Sequence, residues 1–180
     1  MRNSIPLSAI SEFANEIKQS PVEGIAKYGV ELNWESATRS RVKALPMQLG
    51  EHIVNRQFEW IIDEPRQLLG TNQAPNPQEY LLSGLGACMM VAFTVGATIM
   101  KIQLDELKIT VKGELNLAGV LNVDDCAPVG FKSITYTIDV SGDGTPEQFE
   151  ELRQNAIKHS PNAMTLANGT ELNGQLRVNS

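Results

Sequence analysis

Seven side chains in this sequence have types that could do chemistry: Cys88, Cys126, His52, His159, Ser160, Arg39 and Arg41. Cys88 lies in "NPQEYLLSGLGACMM", residues 76–90, inside a run from Tyr80 to Met100 that carries no charge. A thiolate is the strongest nucleophile of the set, and it is also the form that oxidants attack. The two cysteines form no CxxC pair, and both histidines stand far from them in sequence. That pattern supplies neither a zinc site nor a disulfide framework. Ser160 has a nucleophile's residue type but no visible triad around it. No metal or cofactor is expected.

A thiol in an apolar helix is ordinarily a small hydrophobe, inert unless a cation is near. The neighbours of Cys88 leave room for another reading. Ser83, Gly84, Gly86 and Ala87 are small, and Gly84 lies one helical turn before Cys88 on the same face. The uncharged run is also long enough to cross a bilayer. Its Ser, Gly and Thr content dilutes its hydrophobicity, and no Lys/Arg cluster flanks it. We read it as a central helix buried by protein, not as a membrane span.

The elements that must position these residues read as follows. Ile10, Phe13, Ala14 and Ile17 have helical spacing over Ser8–Gln19. Val30, Leu32 and Trp34 alternate with polar residues as in a strand, and Arg39–Leu45 and His52–Ile62 read as two more strands. "EPRQLLGTNQAPNP" is a loop punctuated by Pro and Gly. Asn76, Pro77 and Glu79 carry the capping signals of a long helix ending near Lys101. Strands follow around Leu107–Val111 and Ile134–Val140, joined by the turn-rich "LAGVLNVDDCAPVG". Thr145, Pro146 and Gln148 open a further helix, and Pro161 ends or kinks it. Leu172, Gly174, Leu176 and Val178 read as a closing strand. Trp34 and Trp60 are expected in a core or pocket lining. His159 suits a helix C-terminus, and no catalytic role is assigned to it.

The order predicts an α+β fold. The 180 residues suffice for one domain with an N-terminal extension, placed at 1–27 before a domain at 28–180. Hydrophobic residues make up 42% and charged ones 20%, enough apolar content for a core. The net charge of -6 argues against sequence-independent nucleic-acid binding and against an anionic membrane surface. The N-terminus shows no signal-peptide pattern, so a cytoplasmic protein is expected.

"NPQEYLLSGLGAC", Gly130-Phe131 and "AIKHSPNAMTL", in that order, resemble the landmarks of the OsmC/Ohr family, the osmotically inducible and organic-hydroperoxide-resistance proteins. The resemblance implies an OsmC-like fold in an intertwined homodimer, with the two long helices back to back. It also implies reduction of small organic hydroperoxides by a thiol on the long helix, which becomes a sulfenic acid. A second thiol then condenses with it to a disulfide. An arginine from the strands activates the first thiol, and a glutamate at the helix start orients that arginine.

Carried over position by position, Cys88 matches the attacking thiol. The resolving thiol's position holds Ser160, which cannot form a disulfide. The glutamate's position holds Gln78, which cannot neutralise an arginine. Glu79 is adjacent but points about 100° away. Arg39 and Arg41 are both candidates for the arginine. Cys126 could resolve Cys88 only if the fold brought the two together, and Asp124 and Asp125 disfavour its thiolate. Hydroperoxide turnover is therefore expected to be weak or absent, with an external thiol as reductant. The alternative is a dimer that binds a small apolar ligand, such as a fatty acyl chain, without turnover; a plain scaffold is the third reading.

Overall fold

The computed structural model describes residues 2–178. Its contacts form two compact units, residues 3–81 and the chain from Leu82 onward. The fold is mixed α+β, as expected.

The first unit opens with α1 (Leu7–Gln19), whose apolar residues share one side but none of which is buried. A single 3-10 turn at Pro21–Gly24 follows. Six strands come next: β1 (Ala26–Lys27), β2 (Val30–Ser36), β3 (Arg39–Ala44), β4 (Met47–Leu49), β5 (His52–Val54) and β6 (Glu59–Ile62). They form two antiparallel sheets, with β3 between β2 and β6 in one and β4 between β1 and β5 in the other. Val42, at the centre of β3, is buried between its register partners Leu32 and Trp60. By contrast, Val30, Leu32 and Trp34 on β2 are 52%, 55% and 75% exposed.

Two expectations need correction in this unit. His52–Ile62 is not one strand, because the polar stretch Asn55–Gln57 interrupts its alternation and the halves join different sheets. Trp34 is not a core residue. It stands on the open face of an edge strand, where its indole N–H donates to the Ala37 carbonyl at 2.9 Å.

The loop after β6 has a polar centre that composition does not reveal. The Asp63 carboxylate is fully buried. It accepts the Thr71 hydroxyl at 2.6 Å, and the backbone N–H groups of Gln73, Thr71 and Glu64 at 3.1, 3.1 and 2.9 Å. These donors, the Thr71 hydroxyl foremost, hold its pKa down to about 2. Burial pushes the neighbouring Glu64 carboxyl up. Beyond the loop, Tyr80 packs tilted against Trp60 at 6.4 Å between ring centroids and donates its hydroxyl to the Ile61 carbonyl at 2.9 Å.

The long helix is α2 (Pro77–Ile99). Its start is the expected capping box: Asn76 Oδ1 accepts the Glu79 N–H, and the Glu79 carboxylate accepts the Asn76 N–H, both at 2.8 Å. Leu85, Met89, Phe93 and Ala97, four apart, are buried along one face. That face meets a two-stranded antiparallel hairpin, β7 (Leu104–Glu114) and β8 (Ser133–Gly142). Residues 115–132 connect the two strands and include the short helix α3 (Leu117–Val120). Ile134, Tyr136, Ile138 and Val140 alternate inward along β8. Helix α4 (Pro146–Lys158) closes the core with Leu152 and Ala156. Thr145 and Gln148 form its capping box, as read from the sequence. Fully burying side chains such as Phe93 or Leu152 contributes about 1.5–3 kcal/mol each.

Pro161 does more than end this helix. It occupies the first position of a new one, α5 (Pro161–Asn168), because proline's fixed φ and missing N–H cost nothing there. The closing strand does not form. Residues 169–178 have no regular structure, and Leu172, Leu176 and Val178 are 93%, 86% and 83% exposed. Alternation supplies one apolar face, but a strand also needs a neighbouring edge to pair its backbone, and among the described residues no strand pairs with this segment.

Candidate functional site

Helix α2 presents three lengthwise faces. Leu85, Met89, Phe93 and Ala97 face the core, and Ser83, Ala87, Val91 and Ile99 face outward, Val91 being 63% exposed. Between these faces runs a row of small residues at four-residue spacing: Gly84, Cys88, Ala92 and Gly96. This row meets α4 and α5. A Cβ at Gly96 would stand 2.9 Å from Leu152 Cδ2, and the Asn162 side-chain amide donates to the Gly84 carbonyl at 2.8 Å. Glycine at 96 lets the helices approach closely there, whereas a Cβ at Gly84 would make an ordinary contact with Asn162.

Cys88 is half-buried and lies on the wall of an open groove of about 620 Å³. Val91, Ala92, Val95, Ile99 and Met100 make its apolar side, while Glu151, Asn155 and His159 make a polar edge along α4. Cys88 is thus a free thiol with one side open to a largely apolar space, not a side chain in solid packing.

Ser160 sits at the corner between α4 and α5, flanked by the groove residues His159 and Pro161. It is fully buried, and its hydroxyl accepts the Ala163 N–H at 3.2 Å as the N-cap of α5. The serine found in place of a resolving thiol therefore has a local structural task. Cys126 is exposed in the β7–β8 connection, its N–H donating to Asp124 Oδ1 at 2.9 Å. Both cysteines are free thiols.

Arg39 and Arg41 belong to the first unit, where sequence reasoning missed their partner. The register of β2 against β3 shifts between Trp34 and Ser36, leaving Glu35 as a bulge residue. Its carboxylate accepts Arg39 Nε at 2.8 Å on one oxygen and Arg41 Nε at 2.7 Å on the other. Arg39 also donates to Gln73 Oε1 at 2.9 Å. The Arg39 bond, with Arg41 beside it, holds the Glu35 carboxyl below its ordinary range. The available signal was the two-residue spacing of the arginines, which puts both on one face of a strand, with an acid just across a tight turn. Gln78 is half-buried in the first turn of α2, nearly three turns before Cys88. Glu79 is engaged in the capping box, so it does not stand in for a carboxylate at Gln78.

A model of the OsmC-like protein family matches residues 70–173. The chain belongs to the OsmC-like family. No relative among curated proteins matches it in sequence. Solved structures resemble it in fold. The OsmC-like protein from Mycoplasma pneumoniae is 20% identical with a TM-score of 0.63, over 79% of this chain and 89% of that one. An organic hydroperoxide resistance protein from Elizabethkingia anophelis is 21% identical with a TM-score of 0.53, over 79% and 89%. Another, from Legionella pneumophila, is 20% identical with a TM-score of 0.51, over 78% and 88%. By length and composition α2 could span a bilayer, yet its core face is committed to the β7–β8 hairpin.

Proposed function

We propose that this OsmC-like chain is a slow, one-cysteine organic hydroperoxide reductase that works through Cys88 and is reset by an external thiol. The observation that carries this reading is the position of Cys88: a free thiol on the wall of a groove large and apolar enough for a small organic hydroperoxide. Solved structures of similar fold are described as organic hydroperoxide resistance proteins, which agrees with it. Ser160 and Gln78 argue for slow turnover, since no thiol stands at the α4–α5 corner and no carboxylate at that point of α2. Arg39 and Arg41 are both paired with Glu35.

The working form is a homodimer in the cytoplasm. Two uncovered apolar sets in the single chain support a second copy: Val30, Leu32 and Trp34 on β2, and Leu172, Leu176 and Val178 in the tail. A self-complementary interface would cover each of them twice. Sedimentation equilibrium giving a monomer at micromolar concentration would remove this part of the reading.

The test of activity is intact mass after brief exposure to cumene hydroperoxide. Oxygen gained at Cys88, absent from Cys88→Ser and reversed by a small thiol, supports the reductase. The apolar walls of the groove also suit a second reading, a binding protein for an acyl-like ligand. An unoxidised Cys88 together with co-purified lipid would favour that one.

A further inference from the structure

The polar edge of the groove holds a group that sequence reasoning leaves without a role. Helices α2 and the α4–α5 pair run antiparallel, fixed at two crossing points. Gly84 meets Asn162 at one end and Gly96 meets Leu152 at the other. Cys88 is one turn along α2 from the first point, and His159 is three residues back from Asn162. Both side chains line the same groove, Cys88 from α2 and His159 from the C-terminal end of α4. His159 is exposed at the C-terminal end of α4. Among the described residues its imidazole makes no hydrogen bond or ion pair, and none links it to Cys88.

We propose that His159 is the general acid that protonates the oxygen leaving when Cys88 is oxidised. This rests on the reading of Cys88 given above. The chemistry requires a proton donor across the space from the sulfur, not one bonded to it. The thiolate lone pair attacks the terminal oxygen of R–O–O–H in line with the O–O bond, and that bond breaks. The alkoxide RO⁻ leaves on the far side. Sulfur and reacting oxygen start roughly 3–3.5 Å apart, and a proton donor must then reach the leaving oxygen within about 2.6–3.2 Å. An acid hydrogen-bonded to the thiol would be on the wrong side of the substrate. One on the α4 side of the groove is placed for the leaving oxygen.

The step balances. Cys88 gives up its thiol proton to solvent, the His159 imidazole N–H donates a proton to RO⁻, and solvent restores the proton to His159. The products are the alcohol ROH and the Cys88 sulfenic acid. Sulfur is oxidised by two electrons, and the peroxide is reduced by two. Two equivalents of an external thiol then return the sulfenic acid to the thiol, releasing water and their own disulfide.

The experiment uses the full chain with Cys126→Ser, so that a single thiol is read. Second-order rates are measured for Cys88 with cumene hydroperoxide and with iodoacetamide, with and without His159→Asn. Iodide leaves without a proton, whereas the cumyl alkoxide needs one. His159→Asn should slow oxidation about 100-fold, the lower range for general acids, and change alkylation less than about 3-fold. An equal fall in both rates would make His159 merely structural, and an unchanged oxidation rate would overturn the proposal while leaving the reductase reading in place. If the parent thiol is alkylated readily but not oxidised, the reductase reading itself falls, and the role of His159 with it.

Discussion

The two units differ sharply in how much of their own apolar surface they bury. From Leu82 onward, Leu85, Met89, Phe93, Ala97, Ile102, Leu152, Ala156 and Ala163 are all buried within one chain. In residues 3–81 the buried apolar side chain is Val42, and the other fully buried side chain is the Asp63 carboxylate. The cause is architectural. A hairpin with helices packed on one face has a closed interior, whereas two small sheets have faces that need a covering layer. A single chain provides that layer for its C-terminal unit and leaves the broad face of β2 bare. The thiol sits in the self-sufficient unit, and the paired arginines sit in the unit that is not.

The largest effect should come from breaking the closed core. Phe93→Ala is expected to cost about 3–5 kcal/mol in urea unfolding, with loss of all structure from Leu82 onward. Val42→Ala removes less volume from a smaller core and should cost about 2 kcal/mol, read by the same method. Trp34→Ala sharpens the contrast further. If β2 stays bare, the change in melting temperature will be near zero. If a second copy covers it, the melting temperature will fall and become dependent on protein concentration.

Ser160→Cys joins stability to chemistry. Losing the N-cap hydroxyl should cost about 1 kcal/mol. In exchange, hydroperoxide treatment should yield a disulfide between Cys88 and the introduced thiol, seen as loss of two hydrogens in the intact mass in place of oxygen gain. Turnover with a dithiol reductant should then rise; persistence of the sulfenic acid would show that the α4–α5 corner does not present position 160 to Cys88.

The smallest expected effect is the acid response of the Asp63 loop. Its carboxyl is held at about 2 against an ordinary value of 3.8. The folded pKa is the lower one, so the contribution is complete above about pH 4 and is lost as pH falls toward 2. Amide exchange at Thr71 and Gln73 should quicken over that window, and Asp63→Asn should flatten the change.

Much of the molecule was legible because its signals are local. The capping boxes at Asn76/Glu79 and Thr145/Gln148 marked two helix starts, and the alternation of Ile134 to Val140 marked β8. The tail misled for the complementary reason: Leu172, Leu176 and Val178 have a strand's pattern, but pairing depends on an edge elsewhere. Glu35 was only partly legible: the spacing of the arginines was visible, but a bulge is what turns its carboxylate toward them. His159 was passed over as a helix end, since its place on the groove of Cys88 depends on helices far apart in sequence coming together.

By itself the sequence determined the α+β order, the uncharged long helix and the presence of a thiol among small residues. These follow from periodicity, caps and side-chain size, which act within a few residues. Only the tertiary structure decided that the thiol borders a groove, that Ser160 is committed to a helix cap, and that one carboxylate binds both arginines. Each of those depends on which surfaces meet, and the free energy of such meetings is set by contacts between residues distant in the chain.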